Sequence, residues 1–472
     1  MLDIQTAVIE NDLSEITKHI EEAFKNKLEG KTQETGLMTP EEQAEALKFL
    51  KSQNLIQSIL EDITTLGYVG EDENKLLLFL CAVSRKLNKP ISVLIRSQSS
   101  TGKSYLIDII CALLPLEDVH KWTSLTPKAL YYMAPDALKH KFIAIDERAG
   151  MEEAEYPIRS LQSGGVLSLA VPIKNPTSGQ IMTEQIIKEG PIAYVDGSTD
   201  TRVNPENANR CFEIFLDETA EQTKRVQTQQ KKSHSLEGLN AVKNKETIKR
   251  IHQNAQRLLK PVKVIIPYID LIDFPSDWIR TRRDHDRFLS LIVCIAFLHQ
   301  YQREIKYFNA EKIPLNPPLI KGDTGGFNKT GISYIESNIK DYAIAYKLAK
   351  TVLFNTFAEL EKPVSDFYFA LCKMTEEKAK EQGISSLELE FTRRDVRAFT
   401  KMPDYLVKRY MRILTDLEYF EVKTGTQGTR FVYRLIKESE VKKEFAGLTT
   451  PDELRHRFKA RNERKNAQTA NQ

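Results

Sequence analysis

The sequence predicts an α/β protein in which a parallel sheet covered by helices precedes a helical region and a small unit of two helices and two β-rich runs. Three observations carry that reading. From about Asn74 to Leu216, short apolar runs (ISVLI, KFIAI, PIAYV and CFEIFL) alternate with longer helical stretches, the pattern of strands buried on both faces. The first run leads into Ser97-Gln98-Ser99-Ser100-Thr101-Gly102-Lys103-Ser104 and then into the helical stretch YLIDIICALL. From Asp217 to about Met374 the period becomes helical. Between Leu387 and Ile436 come a short helix after Thr392, a second from Pro403, and β-rich runs around Gly425 to Gly428.

Bulk properties bound the rest. At roughly 150 residues per domain, 472 residues suggest about three domains, and a hydrophobic content of 41% gives each one a core. The longest apolar run, Leu289 to Leu298, is shorter than the roughly 18 residues of a membrane span, and MLDIQTAVIENDL lacks a signal-peptide core. A cytoplasmic protein without membrane contact is expected. Cys81, Cys111, Cys211, Cys294 and Cys372 are far apart, so neither a disulfide framework nor a zinc site is indicated. The net charge is only +3, but positions 224 to 260 carry ten Lys or Arg against two Glu, and the tail from Leu454 carries six against one. A solvated helix face and a disordered tail are the plain readings of these runs.

Residues 1–70 read as charged amphipathic helices, split by the polar stretch Gly30 to Thr39, and carry no legible chemistry. Residues 71–220 hold the sheet and 221–375 the helical region, with a Pro/Gly-rich insertion at about 313–331. The small unit occupies 385–440, and 441–472 form a basic tail.

The loop after the first strand fits the GxxxxGK[ST] phosphate-binding pattern, with Ser97 in place of the first Gly. Backbone N–H groups of Ser97, Ser99, Ser100, Thr101 and Gly102 would face the triphosphate of ATP at a helix N-terminus, and Lys103 would neutralise its β- and γ-phosphates. The Ser104 hydroxyl would reach Mg²⁺. A second strand, Phe142 to Ile145, ends in Asp146-Glu147, 43 residues after Lys103. Asp146 suits a water on Mg²⁺, and Glu147 is long enough to act as general base on the attacking water. The third strand, PIAYV, leads into Asp196-Gly197-Ser198-Thr199, where Thr199, or Ser198 beside it, would sense the γ-phosphate; a plain turn uses the same residues. Arg210, just ahead of CFEIFLDE, is placed to supply transition-state charge to a neighbouring subunit.

This order of motifs resembles a AAA+ ATPase, in particular the branch containing the MCM helicases, and is similar to the helicase part of primase–helicase proteins of bacterial mobile elements and phages. The likeness spans about Leu76 to Glu218, with a weaker one at the winged-helix end. It implies that Lys103 and Ser104 are the Walker A pair, Asp146 and Glu147 Walker B, Thr199 or Ser198 sensor one, and Arg210 the arginine finger. MCM-like proteins insert a pore hairpin after Walker B. Here Gly164 to Val171 and Ile181 to Ile187 read as its arms, with Lys174 to Gly179 at the tip and Lys174 as a contact to DNA phosphate or a solvated turn lysine. The cluster Arg280, Arg282, Arg283 and Arg287 should include the sensor-two arginine of a helical lid, with Arg283 chosen. The sequence departs from MCM in having Ser or Thr at sensor one and Gly102 before the lysine. It also lacks OB-fold, zinc and Toprim segments, so DNA synthesis by this chain is not expected.

In Pro403 to Leu417 the positions Leu406, Tyr410, Leu414 and Leu417 recur at helical spacing, leaving Lys408, Arg409 and Arg412 on other faces. With Arg393, Arg394, Arg397 and Lys401, the stretch 391–415 holds seven basic residues against two acidic ones. Such a winged helix would bind DNA phosphates or dock a protein. The sequence and the resemblance together point to a Mg²⁺-dependent ATPase forming a homo-oligomeric, hexameric ring that binds single-stranded or forked DNA and drives its unwinding or translocation in replication of a mobile element or phage, with a separate primase. The alternative is a replication-initiation or helicase-loading factor that binds DNA without processive unwinding.

Overall fold

The computed structural model describes residues 38–98, 100–126, 128–146, 154–174, 180–198, 210–275, 281–308, 332–352, 362–424, 431–436 and 447–470. The described residues open with α1 (Pro40–Leu50), started by a capping box: Glu42 N–H donates to the Thr39 hydroxyl (3.2 Å) and Thr39 N–H to the Glu42 carboxylate (3.1 Å). Such a cap stabilises a helix by about 1 kcal/mol. α2 (Leu55–Leu66) buries Leu55, Ile59, Ile63 and Leu66, a single helical stripe. α3 (Asp72–Ser84) is buried from Lys75 to Ser84 on every side, because it is wedged between α2, the sheet and a later helix.

The sheet follows. β1 (Ser92–Arg96) runs through the phosphate loop into α4 (Lys103–Ala112); then come β2 (Val119–Trp122), β3 (Lys141–Ile145) and α5 (Glu155–Gly164). Next are an antiparallel pair, β4 (Val166–Lys174) and β5 (Ile181–Glu189), and finally β6 (Ile192–Ser198) and β7 (Phe212–Phe215). The five-stranded sheet is parallel in the order β2-β3-β6-β1-β7. β1 and β6 are wholly buried, as their apolar centres require, with Arg96, Asp196 and Ser198 buried at their C-terminal ends. β1 and β7 are further joined by Arg96 and Glu213, 2.7 Å apart and about one-tenth exposed. Removing one member of such a buried pair costs about 3–5 kcal/mol.

β4 and β5 form a separate two-stranded sheet, in register from Val166↔Glu189 to Lys174↔Ile181. Only its base is buried, through Leu167 and Lys188, whereas Leu169, Ile187, Met182 and Ile181 are exposed on the arms. Residues 175–179, the expected tip, lie outside the described residues.

α6 (Ala220–Ser233) and α7 (Leu236–Leu258) take up the basic run 224–260. Its first half is a solvated helix face. The second half of α7 returns across α1, with Arg250 on Glu42 and Glu45, His252 on Asp62, and Arg257 on Glu117. Arg85 of the α3 C-terminus, fully buried, donates to Asp118, to Gln256 of α7 and to the Ala82 carbonyl. Beyond lie β8 (Lys263–Ile265), α8 (Thr281–Leu298), β9 (Lys306–Phe308), β10 (Ile332–Glu336) and α9 (Ile339–Val352), with a small sheet in the order β8-β10-β9. One hydrophobic cluster runs from Ala46 of α1 through the sheet to Val352 of α9, crossing residues 70 and 220 without a break. The insertion expected at 313–331 lies outside the described residues.

A second cluster has its own helices and sheet: α10 (Lys362–Gln382), β11 (Glu390–Thr392), α11 (Arg393–Thr400), α12 (Asp404–Asp416), β12 (Phe420–Thr424) and β13 (Val432–Leu435). Its antiparallel sheet has the order β11-β13-β12. Val364, Phe367, Tyr368 and Leu371 of α10 pack on Val407, Met411 and Leu414 of α12, so α10 belongs to this C-terminal unit. The cations after Leu454 do not form a free tail: they lie on α13 (Pro451–Ala470), which buries Leu454 in the first cluster. Arg457 pairs with Asp273 and Arg461 with Asp270, so part of the positive charge anchors the helix. Among the described residues no helix is long and apolar enough to cross a membrane.

The start of α11 gives a pH prediction. Thr392 N–H (2.9 Å), the Thr392 hydroxyl (2.6 Å) and Lys378 (2.9 Å) all donate to the Asp395 carboxylate. Partial burial raises this carboxyl, but the bonds from Thr392 and Lys378 outweigh burial and bring it down to about 2. A carboxyl held below its unfolded value near 3.8 stabilises the fold above that pH, and the contribution is lost as pH falls through about 2. Amide exchange in residues 393–400, corrected for intrinsic rate, should therefore quicken between pH 4 and 2, and Asp395→Asn should remove that pH dependence.

Candidate functional site

The site is built at the C-terminal ends of β1, β6 and β3, which the strand order brings side by side. Between β1 and the ten-residue helix α4, Ser100 (φ 66°) and Gly102 (φ 100°) take left-handed conformations. Gly102 takes its geometry without strain, whereas a serine there would be strained. Ser97 and Thr101 share a hydroxyl–hydroxyl bond of 2.6 Å, and the Thr101 hydroxyl also reaches the Gln98 carbonyl at 2.9 Å. The Lys103 ammonium donates to the carbonyls of Ser97 (2.8 Å) and Gln98 (2.6 Å). Ser104 is exposed at the first turn of α4, while Leu106, Ile107, Ile109 and Ile110 are buried beneath it. A helix N-terminus carrying a lysine at its first position attracts a phosphate. Ser97, Ser100, Thr101, Gly102, Lys103 and Ser104 thus share one loop; Ser99 lies outside the described residues.

Asp146 follows β3. Its N–H donates to the Trp122 carbonyl (3.1 Å), and its Oδ2 receives Lys121 at 3.0 Å. Its Oδ1 is buried with no hydrogen-bond partner among the described residues. A buried carboxylate oxygen left in this way fits a hydrated Mg²⁺, and Asp146 with Ser104 are the groups that would hold it. Lys121, on β2, also binds Asp108 of α4. Burial lowers the Lys121 ammonium, but the hydrogen bonds and charges of Asp108 and Asp146 outweigh it and hold the ammonium above its ordinary value. Sequence reasoning missed Lys121, because a lysine in VHKW carries no signal until β2 is known to lie beside β3.

Between the loop and Asp146 runs the end of β6. Asp196 pairs with Ile145 in register and Ser198 with Arg96. A Cβ on Gly197 would lie 3.0 Å from the Asp146 carbonyl, a crowded approach, and 3.6 Å from Lys103 Cδ, an ordinary contact. Asp196, fully buried, receives the Tyr194 hydroxyl at 2.9 Å. Ser198 is buried, and its carbonyl receives Ser97 N–H at 3.3 Å. Glu147 and Thr199 lie outside the described residues.

The N-terminal helices, silent in the sequence, supply a wall. Tyr68, in the α2–α3 turn, lies 3.7 Å from where a Cβ on Gly102 would be, with its ring centroid 6.4 Å from that of Tyr105. Its hydroxyl donates to Glu71 at 3.1 Å. Burial raises the Glu71 carboxyl, against hydrogen bonds from Asn74, the Asp217 backbone and Tyr68. Signals for this wall are absent because Tyr68 and Glu71 belong to a turn whose neighbours come from other parts of the chain.

The remaining expected residues are spread wider. Arg210 donates through Nε to Ser163 at the end of α5 (2.9 Å), at an exposed edge. Arg283 and Arg282 are exposed on the first turn of α8, whereas Arg287 binds Asp284 and the Cys211 carbonyl and lies over Phe212; Arg280 is outside the described residues. The backbone of Lys174 forms the last rung of β4, and its side chain is outside the described residues. Arg393 lies over the Phe431 ring at 5.1 Å, and Arg394 is exposed. Lys408, Arg409 and Arg412 are all exposed, on the same face of α12 as Tyr405, opposite the buried Leu406, Val407, Tyr410, Met411 and Leu414. Lys408 pairs with Asp404 at 2.8 Å, and Arg412 stands 3.8 Å from Asp416.

Gly197→Ala tests the closeness of the three strand ends. Its methyl must push the Asp146 carbonyl aside by a few tenths of an ångström, and a displacement on the order of 1 Å would cost up to about a hundredfold in rate. Nucleoside triphosphate hydrolysis should fall several-fold, while the circular dichroism spectrum stays that of the parent.

Residues 38–260 match the family described as the MTBMA_p00010 P-loop domain. No curated protein matches the chain. The matched span begins ahead of α1 and ends after α7, two helices that pack against each other. The loop geometry and this match together make residues 38–260 a P-loop nucleoside triphosphatase domain.

Proposed function

We propose that the chain is a Mg²⁺-dependent AAA+ ATPase that assembles as a ring and moves on or opens DNA. The observation that carries the ATPase part is the meeting of Lys103, Gly197 and Asp146 at three adjacent strand ends. Lys103 and the loop N–H groups bind the β- and γ-phosphates. Ser104 and Asp146 hold Mg²⁺, which neutralises phosphate charge when bound. Glu147 accepts the proton of a water whose oxygen bonds to the γ-phosphorus as the bond to the bridging oxygen breaks. Thr199, or Ser198, orients that water. Arg210, whose bond to Ser163 lies at an exposed edge, serves the neighbouring subunit's γ-phosphate. Arg283, exposed at the start of α8, is the sensor-two arginine of a lid.

Two features favour DNA as the object of the work. The β4–β5 hairpin projects from the body between Walker B and sensor one, with Lys174 at its outer end. The C-terminal unit has the winged-helix order of helix, helix and β-hairpin, and α12 turns Lys408, Arg409 and Arg412 outward. Together with Arg393 and Arg394, such a face binds phosphates in a salt-dependent way. Replication of a mobile element or phage, beside a separate primase, is the setting proposed.

ATP hydrolysis by the whole chain, with and without single-stranded DNA, tests this. Hydrolysis should rise several-fold with DNA, vanish in Lys103→Ala, and vanish in Arg210→Ala and Glu147→Gln separately. Mixing the last two should restore part of it, since each ring would then contain interfaces with both residues intact. Hydrolysis indifferent to DNA would refute the motor and leave a loading factor.

A further inference from the structure

We propose that Tyr405 is a positioning residue for the phosphate loop, through which the C-terminal unit restrains nucleotide binding. Its hydroxyl, on α12, donates to Gln98 Oε1 at 2.7 Å across 307 residues of sequence. Gln98 is also held by its backbone: its N–H donates to Glu218 (2.9 Å), and its carbonyl accepts the Thr101 hydroxyl (2.9 Å) and the Lys103 ammonium (2.6 Å). Tyr405 therefore fastens the residue whose carbonyl holds Lys103. For Lys103 to engage a phosphate, its bonds to Ser97 and Gln98 must be exchanged. The Gln98 carbonyl then keeps the Thr101 hydroxyl but loses Lys103, one of its two inward ties, and the arrangement that suits Tyr405 is less favoured.

The same contact orients α12. Tyr405, Lys408, Arg409 and Arg412 share one exposed face at helical spacing, so a hydroxyl on the phosphate loop turns the basic face toward the ATPase site. A polyanion on that face and the loop compete for it. Phosphate at Lys103 and polyanion at α12 both favour the released arrangement, so each tightens the binding of the other by the same factor. Only this second part rests on the reading of α12 as a DNA-binding helix.

Equilibrium binding of a fluorescent ATP analogue with Mg²⁺ to the full chain tests the first part. Tyr405→Phe keeps the ring and removes the hydroxyl; nucleotide should bind roughly two- to fivefold tighter, the factor one released hydrogen bond supplies. KM for ATP should fall by the same factor while kcat does not change. Gln98→Ala should tighten nucleotide binding by a similar factor, and the double variant should be no tighter than either single one, which a general loosening of the fold would not produce. Unchanged affinity in Tyr405→Phe, or additive effects, would overturn the proposal, as would absence of nucleotide binding by the parent. In the second part, binding of labelled single-stranded DNA should tighten with a non-hydrolysable ATP analogue in the parent and not in Tyr405→Phe; equal tightening in both overturns the coupling. If neither binds DNA, the DNA reading of α12 fails while the nucleotide measurement still decides the role of Tyr405.

Discussion

The site depends on one constraint of the sheet: β6 lies between β1 and β3, and all three run parallel. Parallel strands present their C-terminal ends on one edge, so the loop after β1, the turn after β3 and the end of β6 meet there. Had β1 paired directly with β3, the loop would meet Asp146 with no third strand between. With β6 interposed, Gly197 lies between Lys103 and Asp146, where a Cβ would crowd the Asp146 carbonyl. The Arg96–Glu213 pair and the register to Phe215 hold β1 on its other side.

Around that edge two apolar clusters have different duties, beside a third on the other face of the sheet that includes Ile143, Ile145, Ile192 and Tyr194. The first joins the N-terminal helices, the sheet, α7, α8, α9 and α13 into one apolar cluster, so the phosphate loop stands on an extensively buried base. Fully buried Arg85 ties the end of α3 to Asp118 and α7, fixing the end of the sheet opposite the loop. The second cluster holds the C-terminal unit. Tyr405 meets the loop from that unit through a polar contact, which costs far less to break than apolar burial would and so suits an adjustable arrangement.

The elements most legible in the sequence were those fixed by short-range pattern. Unbroken apolar runs marked β1, β3, β6 and β7, and the spacing of Gly102, Lys103 and Ser104 marked the turn into α4. What stayed hidden depends on distant residues meeting. Lys121 reaches Asp146 only because β2 flanks β3. Tyr68 reaches the loop only because α2 and α3 fold back over α4. The basic stretches illustrate the same limit: composition gives their charge, but only the fold reveals that Arg250, Arg257, Arg457 and Arg461 spend it on partners within the chain.

The central claim is that Lys103 and Asp146 serve one phosphate–metal site, Lys103 through charge and Asp146 through the metal. Calorimetric titration of an ATP analogue into Asp146→Asn, with and without Mg²⁺, tests it most directly. The account predicts that the parent binds the analogue more tightly with Mg²⁺, and that Asp146→Asn keeps the Mg²⁺-free affinity while losing the gain. An undiminished Mg²⁺ effect in Asp146→Asn would contradict it, because the metal would then be held elsewhere.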